Sequence, residues 1–194
     1  MRWERWRTRA GAAAIVLALG GIFVATVVSP SFAWRSDALS DLGVAWSAAE
    51  SRATVLAFDG GLIAGVVAGL AFARSLAAAA PTRAERAVVA LFGLTVVLMG
   101  LVAVFPRGNP LHLPVSVGFY ALTSLTLWAD GLVERAHRTA IRGLPGLVFG
   151  TTNMLAWAAW AATGPPLRGG VAVPEAVGAL ALAGWVLTAS VRQP

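Results

Sequence analysis

In "WRSDALSDLG", Trp34 to Gly43, two aspartates stand four residues apart in a chain made mostly of Ala, Val, Leu and Gly. Asp59 lies in "AFDGGL", Arg107 and His112 in "FPRGNPLHLPVS", and Glu175 follows Pro174 in "VAVPEAVGAL". A histidine beside a carboxylate can act as a general base. Carboxylate oxygens can hold a hard divalent cation, and an arginine near helix N-termini can hold an anionic head group. No Ser nucleophile motif, no HExxH and no multi-His cluster accompanies them, and cysteine is absent, so thiolate and zinc-type chemistry lack their ligands and no metal site is expected. The sequence names no cofactor.

The elements that must position these groups are set by composition. Hydrophobic residues make up 58% of 194 and charged residues 12%, with a mean hydropathy of +0.74; a soluble domain carries about 25% charged residues. These values predict an all-α polytopic membrane protein, one domain over residues 1–194. Continuous apolar runs predict six transmembrane helices at 10–28, 54–73, 87–105, 112–129, 144–162 and 171–190, each long enough for a hydrocarbon core of about 30 Å. Helices are preferred to strands because they satisfy their own backbone groups in lipid.

All fifteen basic residues are arginine, clustered beside the apolar runs. With the first residues inside, eleven fall on one face (Arg2, Arg5, Arg7, Arg9, Arg74, Arg83, Arg86, Arg135, Arg138, Arg142, Arg192) and four on the other (Arg35, Arg52, Arg107, Arg168). The bias predicts a multi-pass protein of the cell membrane with both termini cytoplasmic. The charge of +6 therefore reads as topology, not as a nucleic-acid surface. A secretory leader ending near "SFA" is the rival reading of the start, but the apolar run there is longer than the usual h-region of about 7–15 residues. Expected partners are membrane lipids, with a homo-oligomer left open.

The connection from Ser29 to Ala53 is long enough to expect structure of its own. Ser36 as N-cap, Gly43 as stop and "DALSDL" between them predict a short amphipathic outer helix, with Asp37 and Asp41 on one face and Leu39 and Leu42 opposite. Asp41 is the expected inward-facing acid, and Asp37 a helix-start acid in solvent. Asp59, about five residues inside its helix, is expected to face the protein interior. Pro106, Gly108 and Pro110 predict a tight turn presenting Arg107 and Asn109, with His112 opening the next helix and Ser116 one turn deeper. Gly61, Gly65 and Gly69, and likewise Gly146 and Gly150, predict close helix packing. Asp130, Glu134 and His137 sit among arginines at the cytoplasmic end, where surface pairing is the expectation.

Together "SDALSDLG", the "F-D/N-x-x-L-x-x-G" pattern at Phe58–Gly65, "FPRGNPLH" followed by Ser116, and Pro174-Glu175 resemble domain-of-unknown-function family 998 (DUF998), six-helix prokaryotic membrane proteins. The resemblance covers nearly the whole chain. It singles out Ser40, Asp41, Leu42, Gly43, Phe105, Pro106, His112 and Glu175, favours Asn at the position of Asp59, and implies the architecture without a reaction. Three functions stay open. The first is binding of a lipid head group or small polar ligand by Asp41, Asp59, Arg107, His112 and Glu175 in an outer-face pocket. The second is an assembly protein with a hydrogen-bonded outer lid. The third is an outer-leaflet lipid hydrolase or transferase using His112 with Asp41, Asp59 or Glu175.

Overall fold

The apolar runs fold as helices in every case. The computed structural model describes residues 2–44, 52–163 and 169–192. In chain order these form α1 (Arg2–Val28), a short 3₁₀ helix η1 (Leu39–Gly43), α2 (Arg52–Ala79), α3 (Arg83–Val104), α4 (His112–His137), α5 (Ala140–Ala162) and α6 (Ala172–Val191), with no strand among the described residues. Most helices overrun their apolar stretches. Arg, Glu and Ala are good helix formers, so the backbone ladder of α1 and α4 continues into the arginine-rich ends beyond the hydrophobic segment. Side-chain caps set two starts: Thr82 accepts from Glu85 N at 3.1 Å while Glu85 accepts from Thr82 N at 2.9 Å, and Thr139 accepts from Arg142 N at 3.3 Å.

On length and composition, α2, α3, α6 and the greater part of α1 (from Arg5) qualify to cross a membrane. At 26 and 23 residues α4 and α5 have the length, but both carry polar residues within the span, several of them turned inward. Thr123, Ser124, Thr126 and Asn153 are all fully buried. Asn153 Nδ2 donates to Tyr120 O at 2.9 Å and to Ser124 Oγ at 2.8 Å, and Thr126 pairs with Thr95 of α3 at 3.0 Å. In lipid such partners remove the cost of an unpaired polar group, so polarity here binds helix to helix.

Consecutive helices pack side by side, and α6 returns to α1 to close a ring. Phe72, Phe92 and Trp185 fill its centre, with ring centroids 5.8 Å and 5.1 Å apart. Glycines make the closest crossings. A Cβ on Gly21 would lie 2.5 Å from Ala57 O, and Gly65 faces Ala18, so Gly61 and Gly65 serve α1; Gly69 instead faces Val96 of α3. On α5, a Cβ on Gly146 would lie 2.5 Å from Leu127 O and 2.8 Å from Gly131 N of α4. Backbone cannot yield as a side-chain tip can. Gly146→Ala is therefore expected to lower stability by about 1–3 kcal/mol, whereas Gly60→Ala, with nothing within 4 Å of its Cβ, is expected to cost nothing. Melting midpoints in detergent micelles compare the two.

Candidate functional site

Between α1 and η1 the chain forms a strap. Ser36 N and Asp37 N both donate to Ala33 O, at 3.1 and 3.0 Å. The Asp37 carboxylate accepts from Ala33 N at 2.7 Å and from the Ser36 hydroxyl at 2.9 Å. The expected helix from Ser36, carrying Asp37 and Asp41 on one face, is thus not formed. Asp37 closes a turn ahead of η1, because a short acid that bonds nearby backbone competes with helix formation. The strap lies against the segment before α6, with Gly170 N donating to Arg35 O at 2.6 Å and Ala172 N to Asp37 O at 2.9 Å. A Cβ on Gly170 would overlap the Asp37 backbone, so the contact needs glycine there.

What remains helical is "LSDLG". In a 3₁₀ helix residues three apart eclipse one another, so Leu39 and Leu42 point the same way and are both buried, in a cluster with Ala18, Ala25, Phe58, Leu62 and Ala172. η1 plugs this end of the bundle and touches α1, α2, α3 and α6. Glu175, only 5% exposed, accepts from the backbone N–H of Leu39 and of Ser40. A helix begins with N–H groups that have no partner within the helix, and α6 supplies the carboxylate that satisfies them.

His112 holds the plug from α4. Its Nδ1 lies 2.7 Å from Phe105 O; a carbonyl only accepts, so Nδ1 carries a proton. In the neutral ring Nε2 then accepts, and two hydroxyls are in reach, Ser40 at 3.2 Å and Ser116 at 3.3 Å. Asp41 faces the other way: one oxygen accepts from Ala38 N at 2.8 Å and the carboxylate pairs with Arg107, whose side chain is 51% exposed. An exposed pair of this kind contributes about 0–1 kcal/mol. Arg107 is presented by the expected turn, in which Gly108 has φ +100°, Asn109 N donates to Pro106 O at 3.0 Å and Leu111 N to Asn109 Oδ1 at 2.9 Å.

η1 therefore gathers Ser40, Asp41, Arg107, His112, Ser116 and Glu175. Asp59 sits apart from the Glu175 contact, against Gly43 at the last residue of η1: a Cβ there would lie 2.8 Å from Asp59 Oδ1, which is buried without a hydrogen-bond partner among the described residues. Arg168 lies outside the described residues. Beneath η1 is a cavity of about 80 Å³, walled by apolar side chains from α1, α2, α3, α4 and α6, with Ser40, Ser116, Tyr120 and Glu175 among its lining residues. Tyr120 was not singled out in the sequence; its place eight residues after His112, on the same helical face, is the signal that marks it. Among the described residues no three of His, Cys, Asp and Glu come together closely enough to hold a metal ion.

The opposite end corrects the surface-pairing expectation. Asp130 and Arg7 are each 8% exposed. Asp130 accepts from Trp185 Nε1 at 2.7 Å and from Arg192 Nη1 at 2.9 and 3.0 Å, while Arg7 donates to the carbonyls of Ser190 and Arg192. Glu134 lies 3.6 Å from Arg192 and 3.5 Å from Arg142. Asp130 is covered by Trp185 and Arg192 from the end of α6, and Arg7 is buried where α1 packs against that same end.

Six helices among the described residues, ringed about an apolar core that holds a few paired polar side chains and presenting apolar side chains outward, with a hydrogen-bonded plug at one end, define a polytopic α-helical membrane protein. The chain belongs to the protein family of unknown function DUF998, whose family model matches residues 12–192. No curated protein and no solved structure matches it.

Proposed function

We propose that the protein binds an amphiphilic lipid-type molecule at the η1 end. Its apolar chain lies in the cavity, and its head group meets Glu175 and the hydroxyls of Ser40, Ser116 and Tyr120. The observation that carries this is a buried carboxylate and hydroxyls at an otherwise apolar cavity under the short η1. Concave sites with apolar walls and a few convergent polar groups are the usual form of small-molecule sites. The polarity narrows the head group. Arg107 is already paired with Asp41, and Glu175 is an acceptor, so a hydroxyl or ammonium head that donates hydrogen bonds fits better than an anionic one. A dry cavity of about 150 Å³ admits benzene; one of about 80 Å³ takes a chain end, and a longer chain requires η1 to lift.

The arginine excess supports placing the η1 end at the outer face of the cell membrane and the arginine-rich end, with both ends of this chain, at the cytoplasm. The assembly reading also has an observation in its favour, since Glu175 and His112 already bond to η1 or its neighbours. Filling the cavity separates the two. Ala179 lines it, so Ala179→Leu is expected to leave the fold intact and to reduce the lipid recovered by solvent extraction of purified protein at least several-fold. Equal recovery from both forms would leave only the assembly reading.

A further inference from the structure

A second cavity, of about 90 Å³, opens at the arginine-rich end and is lined from all six helices or their ends. Four arginines line it, Arg7, Arg138, Arg142 and Arg192, against three acids, Glu85, Asp130 and Glu134. Asp130 is taken up by Trp185 and Arg192, and Glu85 by its cap on Thr82. Arg138 reaches Glu85 only at 3.7 Å, beyond a hydrogen bond. Arg192 Nη2 is buried without an acceptor among the described residues. One positive charge in excess and one unsatisfied guanidinium nitrogen at a part-buried cavity favour an anion, because burial makes an unbalanced charge costly.

We propose that this cavity binds a phosphate group, with Arg138 and Arg192 donating to its oxygens. Guanidinium matches phosphate geometry through paired N–H donors, and a phosphodiester's single negative charge balances the excess. Glu134 Oε2 is buried and has only the Arg142 ion pair, at 3.5 Å, among the described residues, so it is a further candidate acceptor for a hydroxyl or ammonium beside that phosphate, as on a phospholipid head. The phosphate can come from such a head group or from free phosphate. This site is independent of the one under η1, at the other end of the bundle.

The test is the melting midpoint of the purified, delipidated protein in a nonionic detergent, titrated separately with a short-chain phosphatidylglycerol, with diacylglycerol and with inorganic phosphate. Phosphatidylglycerol is expected to raise the midpoint and diacylglycerol not to. Arg138→Gln is expected to weaken the apparent affinity about tenfold, and Arg74→Gln, on an exposed arginine away from the cavity, to leave it unchanged. If inorganic phosphate acts equally well with the same dependence on Arg138, the site stands and its ligand is free phosphate. No shift with either phosphate source, or equal weakening by Arg74→Gln, overturns the proposal. A melting midpoint of ligand-free Arg138→Gln close to that of the unaltered protein shows that the variant folds.

Discussion

Glu175→Ala is expected to release η1 from the bundle. The carboxylate accepts the N–H groups of Leu39 and Ser40, and both residues are buried, so removing it leaves two donors without water or protein partners. Each such group costs about 1–3 kcal/mol, so together roughly 2–6 kcal/mol of local stability should be lost. The apolar anchorage of Leu39 and Leu42 remains, so the loss is local and the helices persist. Hydrogen–deuterium exchange checks this directly. Amides 39–44 should exchange about one and a half to four orders of magnitude faster, at about tenfold per 1.4 kcal/mol, while α3 and α4 keep their protection. Glu175→Gln keeps one acceptor oxygen and should fall between. Unchanged exchange in Glu175→Ala would mean that the leucines alone hold the plug.

Asp130→Ala is expected to destabilise the whole bundle. Removing one partner of a buried ion pair costs about 3–5 kcal/mol, because Arg192 would keep its charge inside with only Glu134 at 3.6 Å, and the fully buried Trp185 would lose the acceptor of its Nε1–H. Asp130→Asn retains an acceptor for the indole but not the charge, so a smaller loss is expected. Unfolding followed by circular dichroism in mixed micelles of rising SDS fraction measures both. No change in Asp130→Ala would restore the picture of a solvated surface pair.

These two residues mark where the sequence was legible and where it was not. The six helices follow from continuous apolar runs, and the Gly61–Gly65 and Gly146–Gly150 spacings foretell close crossings, because both signals are local and periodic. The turn at Arg107 is likewise local chemistry of Pro and Gly. In "SDALSDLG" the periodicity placed the leucines correctly, yet the same letters fit two α-helical turns or a turn followed by 3₁₀. Asp37 bonding back to Ala33 and pairing with the segment before α6 decides between them, and that segment is some 135 residues away in the chain. Asp130 is a stronger case. An acid among arginines reads the same whether solvated or buried, and its burial depends on Trp185 and Arg192, which lie 55 and 62 positions further on. Asp59 was expected to face inward, and its Oδ1 is buried, but it lies against Gly43, and the cavity is lined by its neighbour Phe58.

The binding of an amphiphile under η1 is tested most directly by an experimental density map of the protein in a lipid nanodisc prepared from native membrane extract. The expected result is elongated density between α1, α2, α3, α4 and α6, running from the level of Val96 toward η1, with its polar end within hydrogen-bond reach of Glu175, Ser116 or Tyr120. Side chains collapsed onto one another in that space at saturating lipid, with η1 seated and nothing between Phe92 and Glu175, would contradict it.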